Sequence, residues 1–147
     1  MRIVLQRVKE ADVLVDGEVI SAISNGFVLL VGVSRTDKQE TGPAMAKKIR
    51  KLRVFEDERG KMNLDISEVN GSILSIPQFT LLGNTDKGNR PGFDDAALPA
   101  EAESLWKEFN EALRKEGVSV YEGSFGVHMQ VSLMNDGPVT FVLDSKK

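Results

Sequence analysis

Residues 1–33, MRIVLQRVKEADVLVDGEVISAISNGFVLLVGV, decide the fold. Apolar side chains alternate at Ile3 and Leu5 and again at Val13 and Val15, which is the period of a strand with one buried face. A second run, Val19–Ile23, and a third, Phe27–Val33, follow at strand length. Asp16-Gly17 and Asn25-Gly26 separate the three runs. Both pairs are strong hairpin signals, because a two-residue type I′ turn needs positive φ at both central positions. The chain therefore opens as three predicted strands joined by two tight turns.

Beyond residue 33 the period changes. Ala44, Met45, Ile49 and Leu52 recur at helical spacing, and Pro43 is tolerated only near a helix start, so the pattern predicts a helix from about Pro43 to Arg53. A second helix runs from Pro99 to just before Gly117, with Ala102, Leu105, Trp106, Phe109 and Leu113 on one face. That stripe is a core face. Between the helices the sequence predicts a turn at Glu58-Arg59-Gly60-Lys61, a short apolar strand over Ser72–Ile76 and a loop rich in Gly, Asn and Asp over Gly83–Phe93. Val118–Tyr121, Met129–Leu133 and Val139–Leu143 complete the strands. No repeat, low-complexity tract or linker interrupts the order. The expected architecture is one α+β domain over residues 1–147, with a largely antiparallel, barrel-like sheet covered by two main helices.

Composition narrows the chemistry. A chain of 147 residues buries enough apolar surface to fold without a staple. It contains no cysteine, which excludes disulfides, thiolate metal sites and cysteine nucleophiles. The longest apolar run, Phe27–Val31, is too short to span a bilayer, and Met1-Arg2-Ile3 opens a strand rather than a signal peptide, so the expectation is a soluble cytoplasmic protein without membrane contact. A net charge of −3 argues against broad clamping of a nucleic-acid backbone, although it leaves room for local phosphate contacts. The cluster Lys47, Lys48, Arg50, Lys51 and Arg53 can make such contacts, or can be simply the solvated face of its helix.

Most catalytic constellations fail. His128, the only histidine, heads an apparent strand and reads as an ordinary strand residue rather than the base of a serine relay, and a single histidine does not supply the usual ligands of a metal cluster. No dinucleotide, P-loop or nucleophile-elbow motif occurs. Glu56-Asp57-Glu58 and Asp94-Asp95 lie in polar loops where solvation explains them better than acid–base work. Two polar segments at strand ends remain: Pro77-Gln78-Phe79-Thr80-Leu81 and Asn135-Asp136-Gly137-Pro138-Val139-Thr140. On spacing alone, the first can be an edge-strand irregularity, and the second reads most simply as a turn with proline opening a strand.

Together these segments resemble the D-aminoacyl-tRNA deacylase family from end to end. Gln6-Arg7-Val8, Gly26–Val33, Glu58–Leu64 (ERGKMNL), Gln78-Phe79-Thr80-Leu81, Lys87–Phe93 (KGNRPGF), Met129-Gln130-Val131 and Asn135–Phe141 (NDGPVTF) occur in the family's order. The resemblance implies a homodimer that needs no metal or other cofactor and hydrolyses the ester between a D-amino acid, or glycine, and the 3′-terminal adenosine of tRNA. It implies a cis Gly137-Pro138 bond whose carbonyls enter the partner subunit's pocket and exclude an L side chain. It places backbone N–H groups around Gln78 and Phe79 at the ester carbonyl, with the ribose 2′-hydroxyl assisting. Thr80, lacking a base to activate it, would position rather than attack. Arg7 would brace the Gly-Pro turn, and Met129 would line the adenosine pocket.

The sequence departs from the pattern twice. Pro77 stands where the family usually carries serine, which deletes a hydroxyl and a backbone donor beside the substrate. A group of animal deacylases that act on L-alanyl-tRNA also carries proline there but lacks the phenylalanine kept here as Phe79. His128 stands where aspartate is common. Three readings follow: a deacylase of D-aminoacyl- and glycyl-tRNA, a relative relaxed toward L-alanyl-tRNA, and a relative that binds tRNA or a protein without turnover.

Overall fold

The computed structural model describes residues 1–145. Strand β1 spans Arg2–Val15, β2 Glu18–Ile23 and β3 Gly26–Gly32. Asp16 and Gly17 both have positive φ, 51° and 79°, so the first turn is of the primed kind that its sequence predicts. The second is not a hairpin turn. β2 and β3 both pair antiparallel with β1, and one register continues through both: Ala11 faces Ile23 and Val8 faces Gly26. They are two halves of a single bent partner strand, with Ser24-Asn25 as the bend. Gly26 is required there because its φ is +149° and a Cβ would lie 1.8 Å from the Ser72 carbonyl oxygen.

After β3 the chain crosses over through helix α1, Thr41–Lys51, and returns as β6, Ser72–Pro77, parallel to β3. Helix α2, Pro99–Lys115, makes a second crossover to β7, Ser119–Glu122, parallel to β6. Parallel neighbours need such long connections, and here each carries one helix. The last strand, β8, Gln130–Asp144, pairs antiparallel with the other edge of β1. The sheet order is β2-β1-β3-β6-β7 with β8 beside β1. The Ser21 hydroxyl donates to the Glu122 carbonyl, joining β2 to β7 and nearly closing the sheet into a barrel. The α+β, barrel-like, two-helix expectation therefore holds, with antiparallel pairing around β1 and parallel pairing from β3 to β7.

Two further differences have local causes. The turn at Glu58–Lys61 is flanked by β4, Phe55–Glu56, and β5, Met62–Leu64, strands too short to show a period. The two strands expected after Met129 form one, because the Gly-Pro segment bulges out of β8 without ending it. Helix α1 begins two residues before Pro43, which still falls in the first turn, where N–H groups lack helical partners. Pro99 opens α2, and Gly117, at φ +90°, follows its end.

The core has two parts. Ile3, Leu5, Phe27, Leu29 and Val31 pack under the helices against Trp106, Phe109 and Leu113. Val8, Val13, Val28, Leu74 and Ile76 fill the opposite side, with Met129 partly buried against them. Strand β3 is thus covered on both faces, which is why its sequence is apolar without alternation. Gly42 of α1 rests against the backbone of Phe109, bringing the helices into contact. Among the described residues no helix is long and apolar enough to cross a membrane.

The buried Trp106 indole N–H donates to the Ser75 hydroxyl at 2.9 Å, tying α2 to β6. Ser75→Ala leaves that donor without its acceptor, and the expected loss is about 1–3 kcal/mol of stability. Equilibrium unfolding in urea should show it as a lower midpoint with an unchanged slope. An unchanged midpoint would mean that the indole finds another acceptor.

Candidate functional site

β6 ends at Pro77, and the chain turns at once into a 3-10 turn, Phe79–Leu82. Proline suits this end because it ends the ladder without leaving an unpaired N–H. The Gln78 N–H donates to the Val31 carbonyl at 2.7 Å, anchoring the segment to β3. It is therefore not a free donor, contrary to the expectation that placed it at the substrate. The next two N–H groups differ: among the described residues, those of Phe79 and Thr80 have no partner, as befits the first residues of a 3-10 turn. The Gln78 side-chain amide bonds the Thr80 hydroxyl. Among the described residues, no histidine or carboxylate is hydrogen-bonded to that hydroxyl to draw off its proton.

The Phe79 ring is 55% exposed and meets Phe93 edge-on at 5.0 Å between centroids. Phe93 was not among the expected site residues; its signal was its place at the end of the polar loop Lys87–Phe93, one of the segments that carry the family resemblance. Met129 lies on the other flank of Pro77. A Cβ on Gly123 would meet Met129 Sδ, Ile76 and Pro77 together, and the Ser124 N–H points at Met129 Sδ at 3.3 Å. Pro77, Gln78, Phe79, Thr80 and Met129 are thus gathered at one end of β6. His128 is exposed in the loop before β8, one residue away from Met129.

Gly137 and Pro138 lie elsewhere. Between the pairs Gln6–Thr140 and Val8–Asn135, Arg7 alone faces four residues of β8, so Asp136–Val139 loops out of the ladder. The Gly137-Pro138 bond is cis. Two side chains fasten the loop. The Asn135 amide donates to the carbonyls of Arg7 at 2.9 Å and Val139 at 3.1 Å. Arg7, 4% exposed, donates to the carbonyls of Asp136 at 2.9 Å and Val54 at 2.7 Å, and Asp136 and Glu56 supply carboxylates at 3.4 and 3.7 Å. A Cβ on Gly137 would lie 1.9 Å from the Val139 nitrogen, so only glycine fits this path.

The two segments do not meet within one protomer. Arg7 pairs with Phe27, whereas Gln78 bonds Val31, four residues farther along β3, or about 13 Å at ~3.3 Å per residue. β8 also presents apolar side chains to solvent: Val131, Leu133, Met134, Phe141 and Val142. Exposed apolar side chains gathered on one strand mark an interaction surface.

The remaining candidates belong to the scaffold. The Asp57 carboxylate accepts the N–H groups of Lys61 and Arg59, which hold it below the ordinary carboxylate range and make it the cap of a turn. Among the described residues, no three His, Cys, Asp or Glu side chains converge as metal ligands. A wide cleft between α1 and α2, lined by Pro43, Ala44, Lys47, Lys107, Ala112 and Lys115, is walled by solvated helix faces away from both segments.

Comparison with known proteins identifies the family. Residues 4–144 match the family model described as D-Tyr-tRNA(Tyr) deacylase. The D-aminoacyl-tRNA deacylase of Bifidobacterium animalis subsp. lactis (strain AD011) is 55% identical, over all of this chain and 98% of its own length. That of Bacillus thuringiensis (strain Al Hakam) is 53% identical, over 99% of this chain and 100% of its own. The solved structure of the c-Myc DNA Unwinding Element Binding Protein superposes with a TM-score of 0.91 at 43% identity, covering 98% of both chains. With a family match across nearly its whole length and relatives above half identity, the chain belongs to the D-Tyr-tRNA(Tyr) deacylase family.

Proposed function

We propose that this protein is a D-aminoacyl-tRNA deacylase: it hydrolyses the ester joining a D-amino acid to the 3′ end of tRNA, and residues 1–147 form one deacylase domain working in the cytoplasm. The observation that carries the reading is the pair of unpartnered N–H groups on Phe79 and Thr80, beside an exposed aromatic ring and within the family's sequence pattern. Water adds to the ester carbonyl, the oxyanion forms between fixed backbone donors, and the ribose oxygen leaves with a proton. Preorganised donors of this kind contribute roughly 10²–10³ in rate each. Phe79 and Thr80 take the role that the family resemblance implied for Gln78 and Phe79, while Gln78 holds the segment to β3. Pro77 and Met129 flank the pocket for the terminal adenosine. The 2′-hydroxyl, adjacent to the leaving oxygen, assists proton transfer, and no metal or other cofactor takes part.

The enzyme works as a homodimer in this reading. The exposed β8 stripe is covered by a second copy, whose Gly137-Pro138 loop reaches the pocket that its own protomer leaves distant. A backbone loop fastened by Arg7 and Asn135 leaves no room for an L side chain, and each ~1.4 kcal/mol of clash is a factor of ten in rate. Glycine has nothing to clash, so glycyl-tRNA is also a substrate. Pro77 favours one second reading, relaxation toward L-alanyl-tRNA; Phe79 favours D-selectivity.

Purified protein given D-tyrosyl-, L-tyrosyl-, glycyl- and L-alanyl-tRNA should release the first and third amino acids; survival of the D-ester would sink the proposal. Thr80→Ala should lower kcat less than about tenfold, whereas loss of a nucleophile costs ~10³ or more. A loss of that larger size would make Thr80 the attacking group. Gly137→Ala must displace the loop, and the ratio of D- to L-tyrosyl-tRNA hydrolysis should fall at least tenfold. An unchanged ratio in a correctly folded variant would remove the loop from the chiral gate.

A further inference from the structure

The segment after the 3-10 turn is a closed hairpin docked onto the candidate site. Asn84 and Gly92 exchange two backbone hydrogen bonds of 2.8 Å, the Asn84 side chain accepts the Asp86 N–H, and Gly88 turns the tip at φ +78°. At its base, Phe93 touches Phe79, and a Cβ on Gly83 would meet both Phe93 and the Thr80 carbonyl. The hairpin therefore cannot shift without moving the ring beside the two free donors. Residues 84–92 are all exposed. They carry two cations, Lys87 and Arg90, neither of which forms an ion pair among the described residues.

Arg2, which reaches the 3-10 turn from β1, differs. It is paired with Asp144 at 2.8 Å and hydrogen-bonded to the Leu81 carbonyl, so it is already committed to the fold. In a chain of net charge −3, a polyanionic substrate is repelled overall and must be held by local cations. The hairpin supplies them without desolvating any buried group.

We infer that Lys87 and Arg90 are substrate-positioning residues that hold the phosphates preceding the terminal adenosine of the tRNA, so that the ester falls onto the Phe79 and Thr80 donors. This rests on the deacylase reading, and it adds how the polynucleotide is gripped. The two cations act on phosphate alone and carry no sequence information.

The test compares wild type with the double variant Lys87→Ala/Arg90→Ala on two substrates: D-tyrosyl-tRNA and 3′-O-D-tyrosyl-adenosine, which keeps the ester and lacks every phosphate. On the tRNA ester, KM should rise about tenfold at low salt with kcat within twofold, and the dependence of log(kcat/KM) on log[salt] should flatten by about 1.4 for two lost single-strand contacts. On the adenosine ester, kcat/KM should change less than twofold. Lys87→Arg/Arg90→Lys should restore the tRNA value. Equal losses on both esters would make the hairpin a mere prop for Phe79 and overturn the inference. So would an unchanged KM and salt slope in an active enzyme. A wild type that cleaves neither ester overturns the deacylase reading and the inference with it.

Discussion

A buried guanidinium holds the Gly137-Pro138 loop of β8 and the start of β4 in place. Arg7 stands on β1 in the same phase as Ile3 and Leu5, where a charge would be costly without partners. Its surroundings meet the requirement with the carbonyls of Val54 and Asp136 and the carboxylates of Asp136 and Glu56. Arginine suits this position because its planar fork reaches several acceptors at fixed angles, which the single ammonium of lysine does not. The consequence is geometric. Four residues of β8 loop out opposite Arg7, the β4 region is drawn to the same point, and β8 resumes its pairing with β1 in a shifted register as far as Asp144.

The site at the other end of β3 relies on the same economy of side chains. Its anchor is a backbone bond from Gln78 to Val31, its free donors are the N–H groups of Phe79 and Thr80, and its walls are Phe79, Pro77 and Met129. A chain with one exposed histidine and no cysteine has little else to work with. In the proposed reaction this is sufficient, because an activated ester next to a ribose hydroxyl needs its oxyanion stabilised more than it needs a protein nucleophile. Pro77 fits the same logic: the donor that it lacks lies in the strand end, upstream of the two that point outward.

The division of labour between core and edge explains why the site sits where it does. β3 is buried on both faces and fixes β6 in parallel beside it, so the end of β6 is a rigid place from which to launch a 3-10 turn. β8, by contrast, pairs only with β1 and leaves an apolar stripe in solvent. In the proposed dimer, the pocket of one copy and the open apolar strand of the other are the halves of a single site.

By itself the sequence determined the two helices, the first hairpin, most strand positions and the polar segments worth attention, because these depend on local periods and on Gly and Pro conformations. The stripe from Ala102 to Leu113 and the positive-φ Asp16-Gly17 turn are of this kind. Tertiary structure decided what depends on partners distant in the chain. Asn25-Gly26 looks like a hairpin but is a bend, because both flanking strands add to the same edge of β1. Asn135–Val139 reads as a break between strands but is a bulge, because Arg7, 129 residues from Asp136, holds its base. The Gln78 N–H, which the family resemblance implied as a donor to the substrate, is committed to Val31, which leaves Phe79 and Thr80. Local pattern fixes conformation one element at a time, whereas a hydrogen-bond partner is set only when the elements meet.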